Sequence, residues 1–386
     1  MPTPVAKAGC IALCVGATLC GQQTLAAEWR VSPSGYIATS YSDNPRMKVE
    51  GGEETAGAVG EFKTAIELRT ERSDFSLTPR WRSSRHDDDS SLDSDDQFVT
   101  ARYHWMSERS QWASEIGLTR DTTLTSEAGV TGLVESNRRR QSIMVSAGPT
   151  FWLSERTSVG GQLSSADNSY DDAVGTGLVD YAYRSASLFG SYAISDRGSL
   201  VLTAQGGQLT SEGRLGGTVT RDAALKLTWR YLPWDLWQLM VSAGPSYAES
   251  DRGSAHGQLL EFEANRRGDL WNFSATASRS LVPTGRGVLM RRDSASLGGK
   301  RSLAERFDVS LAAQWNRSED LPQLGSDTYF VDYGRFDLTG SWRVGQNWSV
   351  ALQLTGMAQE RESSTRRAEG YRALLSIVWN GLPLSL

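Results

Sequence analysis

The sequence predicts an all-β fold, a transmembrane antiparallel up-and-down β-barrel of about 18 strands, within a range of about 16–18. Three observations predict it: side chains alternate between apolar and polar, short connections alternate with long ones, and aromatic residues gather beside the short connections. A spanning helix would need about 20 consecutive apolar residues. The only sustained apolar run, at residues 11–19, lies close to the N-terminus.

The alternation has a period of two, which sends successive side chains to opposite faces of a strand. One face is apolar and the other polar in every such stretch. In residues 237–247 the apolar face carries Trp237, Leu239, Val241, Ala243 and Tyr247, and the polar face carries Gln238, Ser242 and Ser246. Residues 62–69, 307–316 and 349–355 alternate in the same way.

The connections between these stretches fall into two classes. Eight short polar turns lie at residues 70–72, 107–109, 154–156, 195–197, 232–235, 267–269, 304–306 and 344–347. Nine longer connections are expected between them, with examples at residues 87–96, 123–137, 168–176 and 360–367. Short periplasmic turns and longer extracellular loops are typical of bacterial outer-membrane barrels. The pattern therefore predicts eighteen strands with both termini on the periplasmic side.

Aromatic side chains mark the short-turn rim. Trp and Tyr favour the membrane interface, where the ring is buried and the polar atom stays hydrated. The residues that flank short turns are Trp105, Trp112, Trp152, Tyr231, Trp234, Trp237, Trp271, Phe307, Trp342 and Trp348. We therefore expect an aromatic girdle on the periplasmic rim.

The N-terminal segment has the features of a secretory signal peptide. Lys7 precedes the apolar run, and small residues precede the polar Glu28. We therefore predict a cleaved signal peptide at residues 1–27 and an outer-membrane barrel at residues 28–386, in the cell envelope of a Gram-negative bacterium. Cys10, Cys14 and Cys20 are the three cysteines. All lie in the leader, so the mature chain is expected to contain no disulfide and no reactive thiol.

Composition and motifs argue against several other functions. The net charge of −5 and pI near 5.5 are unlike a nucleic-acid binder, which needs a basic excess. No motif connects His86, His104 or His256 to a nucleophile, so we predict no catalytic residue, no enzymatic activity and no cofactor. The acidic run in residues 87–96 could bind calcium, but it lacks the spacing of a calcium loop. A solvated surface loop is the preferred interpretation, and no metal site is predicted.

Charged residues on the polar face are the candidates for cargo contact. Those expected to face the lumen are Lys63, Arg69, Arg80, Arg82, Arg102, Lys226, Arg230, Arg335, Arg343 and Arg372. The opposing carboxylates are Glu67, Glu115, Glu261, Glu263, Asp308 and Asp337. Arginines in an aqueous pore can attract carboxylate or phosphate groups. The alternative interpretation is a mixed-charge network that braces the wall.

The last alternating segment ends on an aromatic residue. Tyr371, Leu375 and Trp379 share its apolar face, in a pattern that resembles the terminal recognition signal of outer-membrane barrels. The chain departs from that pattern because residues 380–386 follow Trp379. The phrase Val-Ser-Ala-Gly-Pro occurs at 145–149 and 241–245. Its two copies run in opposite directions in the predicted topology and are not interpreted as a domain repeat.

With this layout, the whole mature chain resembles the porin-type barrels that accompany exopolysaccharide gene clusters, and is similar in layout to the eighteen-stranded alginate exporter. The resemblance implies export of an exopolysaccharide, with an anionic one favoured by the arginines. The alternative is a general porin for small hydrophilic solutes. Expected partners are outer-membrane lipid and lipopolysaccharide, the barrel assembly machinery and a periplasmic polysaccharide-export protein, with no nucleic acid.

Overall fold

The computed structural model describes residues 27–127, 137–213, 216–251, 253–321, 330–361 and 367–385. Within them lie eighteen long strands and a two-residue strand, β19. The strands are β1 Glu28–Ser42, β2 Thr55–Arg69, β3 Ser73–His86, β4 Ser94–Met106, β5 Ser110–Thr122, β6 Arg139–Trp152, β7 Thr157–Tyr170, β8 Tyr181–Ser195, β9 Gly198–Gly213, β10 Gly216–Tyr231, β11 Trp237–Ser250, β12 Gly253–Arg266, β13 Trp271–Pro283, β14 Leu289–Ala304, β15 Phe307–Asp320, β16 Phe330–Arg343, β17 Trp348–Arg361, β18 Ala368–Asn380 and β19 Leu384–Ser385.

Each long strand pairs antiparallel with the next one in sequence, and β18 pairs with β1. The sheet is therefore a closed up-and-down barrel, and the predicted fold class and strand number are confirmed. Closure has a physical reason, because an open sheet in lipid would leave a row of backbone groups without hydrogen bonds, at several kcal/mol each. In the described residues the helices are short, and none is long and apolar enough to cross a membrane.

The seam between the first and last strands includes the C-terminal tail. β18 covers β1 from Ser34 to Ser42, which leaves the start of β1 beyond its reach. β19 pairs with Val31 and Arg30, and the Gly381 N–H donates a hydrogen bond of 2.8 Å to the Pro33 carbonyl. The residues after Trp379 thus prolong the ladder along the first strand.

The structure confirms all eight short turns and corrects two details of the other rim. β9 ends at Gly213 and β10 begins at Gly216, and β11 and β12 are as close in sequence, at Ser250 and Gly253. The expectation that every connection on that rim is long is therefore wrong for these two hairpins. The connection predicted at residues 87–96 is also shorter, because β4 already begins at Ser94.

An apolar belt surrounds the outside of the barrel. Its side chains are exposed in the isolated chain, as for Ile37 at 73% and Leu188 at 71%. On β17 the belt runs from Trp348 to Ala358. At about 3.3 Å per residue and a tilt of about 40°, this segment is roughly 25 Å high, the height of the apolar band of an outer-membrane barrel.

The predicted signal peptide lies almost wholly outside the described residues.

The aromatic residues beside the short turns form one edge of this belt. Trp348 and Trp379 contact each other there, with ring centroids 6.5 Å apart. Trp234, Trp342 and Trp348 are more than half exposed. The predicted girdle is therefore present on the short-turn rim. Trp81 and Trp315 are also exposed on the outer face but lie farther from that rim, toward the opposite edge of the belt.

The two Val-Ser-Ala-Gly-Pro phrases mark interruptions of the ladder. The pairing of β6 with β7 skips Gly148 and Pro149, and the pairing of β10 with β11 skips Gly244 and Pro245. Proline has no N–H to donate, and the glycine lets the neighbouring backbone approach closely. A Cβ atom on Gly244 would lie 1.8 Å from the Leu225 carbonyl oxygen. The phrase therefore has a structural role at both positions.

This close approach predicts the effect of a single methyl group. We expect Gly244→Ala to lower the free energy of unfolding by about 1–3 kcal/mol, because the strands must separate to admit the Cβ. Gly190→Ala is the matched control, since a Cβ on Gly190 would meet no atom within 4 Å. Urea titration of the barrel refolded in detergent micelles measures both. Equal midpoints for the two variants would contradict the prediction.

Candidate functional site: a basic constriction in the lumen

The register places all ten predicted lumen residues on the inner face. That face also carries the most buried wall residues, among them Val59 at 1% exposure and Ser242 at 1%. Lys63 and Arg69 lie on the same face of β2 as Val59. On β3, Arg80 lies opposite Lys63 and Arg82 lies opposite Glu61 of the same face. Lys226 and Arg230 share the parity of the buried Thr228 on β10. Contact with a cargo stays a prediction.

Half of these cations form ion pairs along the wall. The nitrogen–oxygen distances are 3.1 Å for Arg69–Asp74, 4.0 Å for Arg80–Glu61, 3.0 Å for Arg102–Glu115, 2.9 Å for Lys226–Glu261 and 2.7 Å for Arg335–Asp337. Hydrated pairs of this kind contribute about 0–1 kcal/mol each. These five residues therefore form the mixed-charge network along the wall that the sequence analysis gave as the alternative to cargo contact.

The connection at residues 43–54 folds against the inner wall. Asn44 is buried, and its side-chain amide donates hydrogen bonds of 2.8 Å to the carbonyls of Lys48 and Glu369. Met47 is 5% exposed and packs with Leu124, Met357 and Ala368. It adopts the left-handed conformation at φ 51°, which is uncommon for a residue with a side chain. The burial of its side chain holds the backbone in that conformation.

A second connection crosses the lumen after β5. Helix α1, Thr123–Ser126, follows that strand directly. Leu124 and Ser126 share a cavity with Arg292 of β14, and the Glu127 carboxylate lies within electrostatic range of the Arg292 guanidinium. β5 and β14 are nine strands apart in a barrel of eighteen, the largest possible separation. This segment therefore spans the interior rather than lining one side of it.

A third connection, residues 171–180, reaches across the long-connection rim. The Val179 N–H donates a hydrogen bond of 2.8 Å to the Gly285 carbonyl in the connection after β13. Gly285 and Gly287 permit this contact, because a Cβ on either would lie within 3 Å of side-chain atoms from Leu178 or Val179. The Tyr170 hydroxyl donates to Glu127 at 2.7 Å. The second connection is thus tied to the end of β7, the strand that precedes the third connection.

Beneath these connections, arginine side chains converge from separate strands. Arg82, Arg335 and Arg372 line a cavity of about 410 Å³ together with Met47 and Leu124. The guanidinium of Arg372 is close enough to those of Arg82 and Arg335 for their charges to repel. We name these three residues, with the Arg292 that lines the same cavity, the basic constriction.

Arg82 and Arg372 differ from the braced cations of the wall. Among the residues that the structure describes, neither forms an ion pair, and the buried Nε of Arg82 has no hydrogen-bond partner. Arg82 faces Asp96 across the β3–β4 ladder, and that carboxylate is 1% exposed. Buried polar groups without partners are rare in folded proteins. The guanidinium groups of Arg82 and Arg372 thus have N–H donors available for a solute at the level where the connections narrow the lumen.

The remaining predicted residues lie away from the constriction. Arg343 donates to the Glu305 carbonyl at a short turn. Arg230 lies one residue before the end of β10, at the same rim. Lys63 lies opposite Arg80 in the β2–β3 ladder, on the short-turn side of Arg82. Sequence reasoning missed Arg292 and Met47. The alternation of β14 could have indicated Arg292, but nothing in the sequence indicates that Met47 folds inward.

The acidic run at residues 87–96 divides among different environments. Asp89 lies in the connection and contacts Arg46, Asp95 faces outward and pairs with Arg85 at 2.9 Å, and Asp96 is buried facing inward. Within the described ranges no group of three or more His, Cys, Asp or Glu could hold a metal ion. The run is not the uniformly solvated loop that was expected, because it continues into the alternating strand β4.

Comparison with known proteins finds barrels of similar path. No family model matches, and no curated protein matches. OpdK of Pseudomonas aeruginosa, solved with vanillate, is 10% identical at a TM-score of 0.49, with 94% of this chain and 99% of that chain covered. OccK2 of the same organism, solved with glucuronate, is 11% identical at 0.48, covering 93% and 98%. The siderophore receptor PirA of that organism is 11% identical at 0.45, covering 92% and 80%.

The ion pair between Arg46, in the connection at residues 43–54, and Asp89, in the connection after β3, predicts a response to acid. Hydrogen bonds from Ser91 and Arg46 lower the pKa of Asp89 to about 2. A lowered pKa in the folded state stabilises the contact above the ordinary value near 3.8 and loses that effect as the pH falls toward 2. We expect the protection from hydrogen exchange at residues 43–54, measured relative to the intrinsic rate at each pH, to decrease between about pH 4 and pH 2.

Asp89→Asn provides the control for this response. The variant has no carboxylate to titrate, so its protection at residues 43–54, relative to the intrinsic rate, should be reduced already at neutral pH and should change little on acidification. An acid response of the same size in both proteins would show that another group controls the connection.

Proposed function

We propose that this protein is an outer-membrane channel for small anionic hydrophilic solutes. The observation that carries the proposal is the convergence of Arg82, Arg335 and Arg372 at the level where inward connections narrow the lumen. Charged side chains at a constriction select the sign of the permeating ion. A membrane location is supported by the outer apolar belt, and a porin role develops the alternative that the sequence left open.

The inward connections favour small cargo over a polymer. Segments from residues 43–54, 123–127 and 171–180 contact one another or the opposite wall. The cavity bounded by the first two and the arginines has a volume of about 410 Å³, within the range of small-molecule sites. A small carboxylate fits in such a space. A polysaccharide chain could pass only if one of the inward-folded connections moved aside.

Exopolysaccharide export, implied by the resemblance, is the second proposal, and one feature supports it. Hydroxyl pairs line the inner wall from β7 to β14, including Thr276–Ser296 and Ser278–Ser294, both at 2.7 Å. Each hydroxyl can donate and accept. Successive hydroxyls along a wall can therefore exchange hydrogen bonds with a moving sugar chain. A periplasmic export protein would be the corresponding partner.

Reversal potentials in planar bilayers test the first proposal. We expect the wild-type channel to prefer chloride over potassium, and Arg82→Gln with Arg372→Gln to reduce that preference by several-fold, because two cations without an ion pair are removed from the basic constriction. Arg69→Gln with Arg102→Gln is the matched control. It removes the same charge from cations that pair with Asp74 and Glu115 in the wall.

Two results would contradict the proposal. The first is an unchanged selectivity in the Arg82 and Arg372 variant when its heat-resistant mobility on gels shows a folded barrel. The second is a conductance that small dicarboxylates leave unchanged but that an anionic polysaccharide blocks. That result would favour the exporter instead.

A further inference from the structure

Two arginines on the outer face of the barrel have no ion pair in the described part of the chain. Arg184 of β8 and Arg221 of β10 both point outward, because the residues that follow them in the chain, Ser185 and Asp222, occupy the inner face. Both are exposed. Gln208 of β9 stands between them in register. Strands are about 4.8 Å apart, so the two Cα atoms are roughly 10 Å apart, and both guanidinium groups can reach one ligand.

Three other outward arginines, on β13, β14 and β15, are neutralised by carboxylates. Arg279 pairs with Asp293 at 2.7 Å, Arg291 pairs with Glu319, and Arg317 pairs with Glu319 and Asp332. The carboxylates nearest to Arg184 and Arg221 accept hydrogen bonds from other side chains instead. Glu249 lies opposite Arg221 in register and accepts from Tyr247, and Asp167 accepts from Ser165. In the described part of the chain neither Arg184 nor Arg221 forms an ion pair with these carboxylates, so both guanidinium groups can bind an external anion.

A depression of about 700 Å³ lies directly beside these arginines on the outer face. It exists because the next outward residues toward the short-turn rim are small: Ala186 on β8, Gly206 on β9 and Ala223 on β10 are cross-strand partners in a single row. Leu163 forms one side of the depression. The floor of the depression is apolar, and its edge toward the long-connection rim is basic.

We propose that this depression binds a phosphate-bearing glycolipid of the lipid A type, with its phosphate between Arg184 and Arg221 and an acyl chain against Ala186 and Gly206. Guanidinium groups bind phosphate through paired hydrogen bonds, and basic pockets at the headgroup level recognise anionic lipids. Both arginines lie toward the long-connection end of their strands. If that rim faces outward, as in outer-membrane barrels, the leaflet beside them is the one that contains lipopolysaccharide.

The inference rests on the outer-membrane location proposed above and is independent of the cargo. Binding to the outer surface can be measured without any conductance measurement. Failure of lipid binding and failure of anion selectivity are therefore separate outcomes.

Native mass spectrometry of the refolded full-length mature barrel in detergent, titrated with purified lipid A, tests the proposal. We expect a one-to-one adduct that Arg184→Gln with Arg221→Gln weakens about tenfold or more. Arg279→Gln with Arg291→Gln is the control and should change the adduct less than about twofold, because those arginines already pair with carboxylates. A thermal unfolding curve for each variant verifies folding.

Further lipids decide the chemistry of the ligand. Lipid A without its phosphates should bind weakly, and phosphatidylglycerol should bind less tightly than lipid A. Equal binding of the dephosphorylated form, or equal loss in the two variants, would overturn the site. Phosphatidylglycerol binding as tight as that of lipid A would overturn the assignment to a lipid A type ligand.

Discussion

Every strand of this protein depends on one constraint, that each backbone N–H and C=O facing lipid must find a partner within the sheet. The ladder from β1 to β18 closes on itself for this reason, and the tail strand Leu384–Ser385 prolongs the seam. Two of the interruptions in the ladder lie at the Gly-Pro pairs at 148–149 and 244–245. There the missing proline donor and the close glycine backbone replace regular pairing.

A closed wall leaves the interior as the place where this chain can vary its chemistry. Half of the ten predicted lumen cations are balanced by a carboxylate on the same or a neighbouring strand, as in Arg335–Asp337. Arg82 and Arg372 are not balanced in this way, and connections from the long-connection rim fold in above them. The outer face repeats the contrast, because Arg279 is paired whereas Arg184 is not. Arginines without an ion pair thus occur both at the basic constriction and on the outer face of β8 and β10.

Local patterns predicted the wall well because a two-residue period and a turn are both short-range properties. The turn at residues 107–109 closes through a 2.7 Å hydrogen bond from the Ser107 N–H to the Ser110 carbonyl, and its chemistry is visible in the sequence. The alternation also assigned Arg82 and Arg372 to the inner face. It could not distinguish a braced cation from an unpaired one, since Arg102 and Arg82 occupy equivalent positions in the pattern but meet different partners across the ladder.

The sequence by itself determined the strands, their faces, the short turns and the aromatic rim, because each follows from neighbouring residues and from the two environments of a barrel wall. Only the tertiary structure decided where the connections go. Met47 is buried by Leu124 and Met357, and Val179 bonds to Gly285 across the rim. These contacts join residues that are far apart in the chain, and no local period records them.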